Sequence, residues 1–147
     1  MGFTHYHWLV LGLTSLLVVA VVLVHYETFG LLTRLLKRLH FRPRGMILVV
    51  MFGLLIAHVV EIWFFGAGYW LVLQHPALGR LAGVTGNTFP ACIYFSSSTY
   101  TTLGYGDITP AGPLRLLASS EALTGFMLIT WSASFTYLQM ERFWQGR

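Results

Sequence analysis

Three long apolar runs limit what this chain can fold into: Trp8–His25, Met46–Phe65 and Leu114–Leu138. A helix needs about 20 mostly apolar residues to cross a bilayer, and the first run is slightly short of that length. Residues 1–24 contain no Lys or Arg, so the first run lacks the positive start of a cleaved signal peptide and is interpreted as a retained helix. With 56% hydrophobic and 10% charged residues, the chain is predicted to be an all-α membrane protein with three transmembrane helices.

The basic residues are spread unevenly along the chain. Five lie between the first and second runs and two follow the third, whereas only Arg80, together with Arg115 at the very start of the third run, lies on the other side. Because cytoplasmic loops are rich in Lys and Arg, this bias predicts a cytoplasmic first connection and C-terminus. The N-terminus and residues 66–113 are then outside, in a multi-pass protein of a plasma membrane or bacterial inner membrane. The same bias accounts for the net charge of +4, so no nucleic-acid partner is predicted.

A leucine stripe follows the first run. Its members are spaced as on one face of a helix: Leu32, Leu35, Leu36 and Leu39. Arg34, Lys37 and Arg38 lie largely off that stripe, a pattern typical of an amphipathic helix on the inner membrane surface with anionic lipids as partners. A simple cytoplasmic extension of the first helix is an equally good interpretation. Residues 42–45 then end the helix before the second run.

The connection between the second and third runs holds the most specific motif, Thr101-Thr102-Leu103-Gly104-Tyr105-Gly106-Asp107. Residues 90–101 before it are predicted to be a short helix. That helix is too short to span a bilayer, and it is stable at membrane depth only when protein or water surrounds it. Pro90 suits its first turn, and Asn87 or Thr88 can cap it.

The motif suits a site where a cation loses its water. Gly104 and Gly106 lack a Cβ and reach positive φ at little cost, so successive backbone carbonyls can point to one side. Such carbonyls replace the water of an ion whose bare transfer to a low-dielectric medium costs on the order of tens of kcal/mol. Thr102 adds a hydroxyl oxygen, and the ring of Tyr105 is expected to point away from the ion and wedge the loop.

The motif resembles the selectivity filter of potassium channels, whose T-V-G-Y-G run differs at Leu103. The resemblance extends over residues 89–137 and also implies that Tyr94 and Phe95 support the filter. It implies that the filter consists of Thr102, Leu103, Gly104, Tyr105 and Gly106, and that K⁺ binds at the first four of these residues. Asp107 is then the acidic residue at the outer mouth of the filter. No other cofactor is expected. Because the chain has one such motif and no internal repeat, the resemblance implies a homotetramer.

Ser98 matches a position that is Glu in some members of the resembled family, where that Glu pairs with the Asp after the filter. We hypothesise that Glu61 or Glu121, in the outer halves of the second and third runs, reaches the Ser96–Ser98 face of the pore helix and replaces this carboxylate. The alternative is that each carboxylate bonds a neighbouring helix locally or reaches the membrane interface.

Gly125 in the third run matches the hinge glycine of the same family. A glycine inside a helix costs about 1 kcal/mol relative to alanine, so it is expected to have a use. One use is bending of the pore-lining helix at a gate. The other is close helix packing, which small residues commonly serve in membranes.

Histidines and aromatic residues near the ends of the runs are interpreted as interfacial. No Cys or carboxylate cluster joins His5, His7 and His25 along the sequence, so metal ligation is not predicted for them. The predicted aromatic anchors of the membrane interface are Trp8, Tyr26, Trp63, Tyr69, Trp70 and Trp144.

The predicted organisation is an N-terminal unit, residues 1–45, followed by a pore domain, residues 46–147. The parts of the pore domain are an outer helix 46–65, a turret 66–88, a pore helix 90–101, a filter 102–107 and an inner helix 114–138. The predicted function is passive, potassium-selective conduction through a homotetrameric pore. The alternative is a non-conducting auxiliary or scaffold subunit that retains a filter-like loop. The sequence shows neither a nucleophile–base pair nor a phosphate-binding loop, so an enzyme is not predicted.

Overall fold

The computed structural model of the protein describes residues 5–38, 43–83 and 88–145. Within these ranges the elements are helices α1 (His5–Arg38), α2 (Pro43–Leu73), α3 (Phe89–Tyr100) and α4 (Leu114–Gln145), a 3₁₀ turn (Pro76–Leu78) and strands β1 (Arg80–Ala82) and β2 (Thr109–Ala111). Three long helices and the short α3 account for nearly all of the regular structure. The predicted all-α class is confirmed.

Helix α1 runs without a break from the first apolar run through the basic residues to Arg38. Of the two interpretations of the leucine stripe, the structure therefore has the helical extension. One apolar cluster joins this part of α1 to α2 through buried side chains: Phe29, Leu32, Leu36, Val50 and Leu54. Two members of the stripe, Leu32 and Leu36, thus face protein, while Leu35, Arg34 and Lys37 are exposed. Leu39 and Arg42 lie outside the described residues.

Helix α2 continues beyond its predicted end at Phe65 to Leu73, into the segment expected to be the turret. Two glycines let neighbouring helices approach this extension closely. A Cβ on Gly66 would lie 2.4 Å from the Ile93 side chain of α3, and a Cβ on Gly68 would lie 2.5 Å from the Leu17 side chain of α1. The outer loop therefore begins after α2 ends, not at residue 66.

Two of the helices, α1 and α2, are long and apolar enough to cross a membrane. Helix α4 has 32 residues, roughly 48 Å at 1.5 Å per residue, so its length also suffices. Among the described residues, however, α4 does not reach the same apolarity, because it carries many polar side chains: Ser119, Ser120, Glu121, Thr124, Thr130, Ser132, Ser134 and Thr136. The third membrane span, α4, therefore stays a prediction.

Helix α3 is offset by one residue from the predicted range 90–101. Thr88 occupies the N-cap position with extended backbone, although its side chain makes no capping hydrogen bond. Pro90 lies in the first turn, where its fixed φ and missing N–H are tolerated. The helix ends where the Thr101 N–H donates to the Ser97 carbonyl at 3.2 Å. Asn87, the other predicted cap, lies outside the described residues.

A two-stranded antiparallel ribbon links the two ends of the outer connection. Its register pairs Arg80 with Ala111, Leu81 with Pro110 and Ala82 with Thr109. Just after β1, Gly83 has a φ of 95°, and a Cβ there would lie 1.9 Å from the Asp107 carbonyl oxygen. Only glycine permits this approach, which brings the segment after α2 against the end of the 101–107 motif.

The main apolar core surrounds α3. Its buried members come from all four helices and include Val10, Val21, Phe65, Tyr69, Cys92, Phe95, Tyr100, Leu117 and Leu128. Helix α3 contacts both α2 and α4 along its length. The core therefore fixes the C-terminal end of α3, from which the 101–107 motif emerges.

Candidate functional site

The backbone of the 101–107 motif alternates in conformation. Thr102, Gly104 and Gly106 have φ values of 58°, 56° and 80°, and the residues between them do not have positive φ. Such values cost glycine little but strain a β-branched threonine, and strain of this kind clusters at functional sites. Reversing the hand at every second residue turns successive peptide groups to the same side, as expected from the two glycines.

Ser98 on the last turn of α3 holds this backbone from behind. The Gly104 N–H donates to the Ser98 carbonyl at 3.1 Å, and the Tyr105 N–H donates to the Ser98 hydroxyl at 3.3 Å. The Thr102 N–H donates to the Thr99 carbonyl at 3.0 Å. A hydroxyl thus contacts the motif at the position where some members of the resembled family have a carboxylate.

The other face of the motif is open in the single chain. Leu103 and Tyr105 expose 57% and 67% of their surface, and no side chain lies within 4 Å of a Cβ placed on Gly104 or Gly106. Helix α3 and the motif also border an open groove of about 390 Å³ whose lining includes Ala118 of α4. Such a large exposed surface on an aromatic and an aliphatic side chain marks a region suited to contact with another molecule.

Tyr94 and Phe95 of α3 differ in exposure. Phe95 is buried with its ring edge-on to Tyr69, at a centroid distance of 4.9 Å. Tyr94 is exposed, and its hydroxyl donates to Asp107 Oδ2 at 2.8 Å. That hydrogen bond and the nearby carboxylate charge raise the pKa of the Tyr94 phenol above its ordinary value. The second Asp107 oxygen accepts the Ile108 N–H at 3.0 Å.

Glu121 of α4 lies against the side of α3 that contains Ser96. The Ser96 hydroxyl donates to Glu121 Oε1 at 2.5 Å, and the Tyr69 hydroxyl donates to Oε2. The carboxylate has no exposed surface, and both of its oxygens have a donor. A buried carboxylate therefore joins α2, α3 and α4 directly behind the motif.

Glu61 of α2 is also fully buried and contacts the last residue of α3. The Tyr100 hydroxyl donates to Glu61 Oε2. Two imidazoles approach the same carboxylate, with His25 Nδ1 2.8 Å from Oε1 and His58 Nδ1 3.2 Å from Oε2. Both carboxylates singled out in the sequence thus contact α3, Glu121 at Ser96 and Glu61 at Tyr100.

The two imidazoles share a second partner on α4. Ser132 Oγ lies 3.2 Å from His25 Nε2 and 3.0 Å from His58 Nε2. We call this set the buried polar cluster: His25, His58, Glu61, Tyr100 and Ser132. It links α1, α2, α3 and α4 in one hydrogen-bonded network.

The interpretation of His25 as an interfacial residue is wrong. His25 has no exposed surface, because α1 brings it against Glu61, a carboxylate 36 residues away in the sequence. Tyr69 is likewise fully buried and not an interfacial anchor. Sequence reasoning also missed Tyr100 and Ser132. One signal was available, since His58 and Glu61 are three residues apart and therefore lie on one face of α2.

Gly125 serves close packing in this structure. A Cβ there would lie 2.1 Å from the Tyr100 carbonyl oxygen and 2.9 Å from the Tyr100 ring. Helix α4 thus passes directly against the end of α3. Of the two uses proposed for this glycine, the geometry favours packing.

A comparison with known families supports one assignment. A family model described as an ion channel matches residues 45–141, well over half of the chain. Neither the curated proteins nor the solved structures provide a match. The matched range contains α2, α3, the 101–107 motif and nearly all of α4. The chain therefore belongs to the ion-channel family with a two-span, potassium-channel-type pore, and it is a membrane protein.

Proposed function

We propose that the protein is a potassium-selective channel that conducts K⁺ passively through a homotetrameric pore. The observation that carries this proposal is the alternation of positive φ at Thr102, Gly104 and Gly106. A backbone of that kind presents successive carbonyl oxygens to one side, and rings of such oxygens substitute for the hydration shell of K⁺. The ion contacts the oxygens of Thr102, Leu103, Gly104 and Tyr105, and the Thr102 hydroxyl adds an oxygen at the inner end.

Four copies are needed because one chain supplies only one strand of the filter. The exposed face of the motif and the groove of about 390 Å³ beside Phe95 and Ala118 are the surfaces that neighbouring copies cover. In the tetramer, the Tyr105 ring packs against the adjacent protomer and keeps the carbonyl ring open. Its large exposed surface in the single chain supports this role.

In the membrane, α1, α2 and α4 are the three spans, and α3 with the motif dips back from the outer face. Helix α4 lines the pore, and its hydroxyl-bearing residues suit a water-filled cavity better than lipid. The N-terminus is outside and the C-terminus cytoplasmic, in agreement with the excess of basic residues between the first and second spans. The C-terminal end of α3 then faces the cavity, where its dipole favours a cation.

Glu121 and Ser98 together replace the carboxylate that some members of the family carry on the pore helix. Ser98 bonds the Tyr105 N–H, and Glu121 bonds Ser96 two residues earlier on α3. The carboxylate thus supports α3 from α4 instead of bonding Asp107, whose partner on α3 is Tyr94. Glu61 supports the same helix at Tyr100.

The test is flux through the purified protein in liposomes, with K⁺ or Na⁺ as the only permeant cation. We expect rapid K⁺ flux that Ba²⁺ blocks, much slower Na⁺ flux, and four chains per particle by native mass spectrometry. Equal fluxes of the two ions would contradict selectivity. A stable monomer or dimer in lipid with no flux would instead support the non-conducting auxiliary subunit.

A further inference from the structure

The buried polar cluster has the composition of a metal site. Two imidazoles and a carboxylate, from His25, His58 and Glu61, place one ligand atom each within 4.8 Å of one another. The side chains of His25 and Glu61 are fully buried, and that of His58 is 17% exposed. Imidazole nitrogen with carboxylate oxygen is a donor set that Zn²⁺ accepts.

Hydrogen bonds alone do not complete this cluster when both imidazoles are neutral. Both Nδ1 atoms face Glu61, so each must carry its hydrogen when the carboxylate is ionised. Both Nε2 atoms are then acceptors, and both face the hydroxyl of Ser132. That hydroxyl has one hydrogen and can serve only one of them. One imidazole nitrogen is therefore left without a hydrogen-bond donor.

A divalent cation between the imidazoles and Glu61 resolves the shortage. The metal takes the lone pairs of both Nδ1 atoms, so both hydrogens reside on Nε2 and point at Ser132. A serine oxygen has two lone pairs and accepts both. Metal-bound histidines characteristically donate their other N–H to an oxygen in this way, which fixes the ring and its tautomer.

We propose that His25, His58 and Glu61 form a Zn²⁺ site that Ser132 orients. Ligand atoms around a tetrahedral zinc lie about 3.3 Å apart, given bond lengths of about 2.0–2.1 Å. The two nitrogen–oxygen separations of 2.8 and 3.2 Å are close to that spacing, so small side-chain shifts admit the ion. The Tyr100 hydroxyl, 2.9 Å from His58 Nδ1, lies beside the fourth position.

An ion can reach the site from a groove, and coordination there would have a structural consequence. His58 and Ser132 line a groove of about 500 Å³ between α2 and α4, which gives an ion access to the cluster. Coordination would tie α1 to α2 beside Tyr100, which immediately precedes the 101–107 motif. The site lies outside the filter and does not depend on K⁺ conduction, so its test does not depend on the proposed function.

The experiment measures Zn²⁺ binding to the full-length protein in detergent after chelator treatment. We expect one Zn²⁺ per chain by elemental analysis and calorimetry, and a higher melting temperature with Zn²⁺. His58→Gln is expected to weaken binding by at least about 100-fold, and Ser132→Ala by about 10–100-fold. His75→Gln, an exposed histidine outside the cluster, is the matched control and is expected to bind as the wild type does.

Co²⁺ provides a readout that needs no variant, because tetrahedral nitrogen–oxygen coordination gives intense visible absorption. We expect this absorption in the wild-type protein and its loss when Zn²⁺ is added. Absence of Zn²⁺ binding would overturn the proposal. Binding that His58→Gln leaves unchanged would do the same, and the cluster would then be a hydrogen-bonded network alone.

Discussion

The two sides of α3 differ in how completely one chain covers them. Behind α3, the carboxylates of Glu61 and Glu121 are fully buried, and every carboxylate oxygen contacts a polar side chain of another helix. In front, the 101–107 motif is held through its backbone by Ser98, while Leu103 and Tyr105 remain exposed. The chain therefore covers the side of α3 behind the motif by itself but leaves the front of the motif open, as the proposed tetramer requires.

The largest effect is expected from a substitution in the 101–107 motif. Gly106→Ala introduces a Cβ at a φ of 80° into open space, so it changes backbone conformation without a clash in the chain. We expect loss of K⁺ flux with little change in folding, because the carbonyls no longer face one side. Liposome flux measures this. Gly12→Ala, a helical glycine with nothing within 4 Å, is the control, and equal flux in both variants would refute the role of the alternation.

The next largest effect tests how closely α4 packs against α3. Gly125→Ala places a Cβ 2.1 Å from the Tyr100 carbonyl oxygen, a backbone atom that moves only if α3 or α4 shifts. Overpacking of this kind typically costs about 1–3 kcal/mol. We therefore expect a lower melting temperature and loss of the tetramer on size exclusion. Gly30→Ala, with open space around it, is the control. A normal melting temperature with altered gating would instead indicate a hinge.

A smaller effect is expected from Glu121→Gln. The amide has one oxygen for the two hydroxyls of Ser96 and Tyr69, and a buried hydroxyl left without an acceptor costs about 1–3 kcal/mol. We expect a lower melting temperature and a reduced ratio of K⁺ to Na⁺ flux. Glu27→Gln, on an exposed part of α1, serves as the control. Unchanged stability and selectivity would remove Glu121 from the filter support.

The smallest effect compares two tyrosines on opposite sides of α3. Tyr69→Phe removes a buried donor to Glu121, whereas Tyr94→Phe removes an exposed donor to Asp107. We expect a clear drop in melting temperature for the first and a much smaller one for the second, because water replaces the exposed hydrogen bond. Differential scanning fluorimetry compares them. Equal drops in melting temperature would mean that the Tyr94–Asp107 hydrogen bond stabilises the fold as much as the Tyr69–Glu121 hydrogen bond does.

Local chemistry made the backbone conformation of the 101–107 motif predictable. The φ values of Gly104 and Gly106 and the position of Pro90 follow from properties of single residues, which the sequence displays directly. The apolar runs and Pro90 likewise predicted the starts of α2, α3 and α4 within a few residues. The approach of Glu121 to Ser96 was a hypothesis that needed only the predicted topology and the depth of each residue.

Tertiary pairing made the rest unpredictable. His25 meets Glu61 only because α1 packs along α2, and no local spacing records a partner 36 residues away. The leucine stripe of α1 looks the same whether it faces lipid or protein, so its contact with Val50 and Leu54 required the structure. Gly125 illustrates the same limit, since the sequence does not show whether a glycine inside a helix serves as a hinge or in close packing.

The short ribbon of β1 and β2 has a consequence for how such a chain could evolve. Because Ala82 pairs with Thr109, the two ends of the segment between them lie side by side, although α3 within the segment packs against α2 and α4. The ribbon thus already holds the two ends together. A graft of this segment into another helical hairpin would therefore need a compatible pair of short strands at its ends and partners for the polar side chains that α3 buries, such as Ser96 and Tyr100.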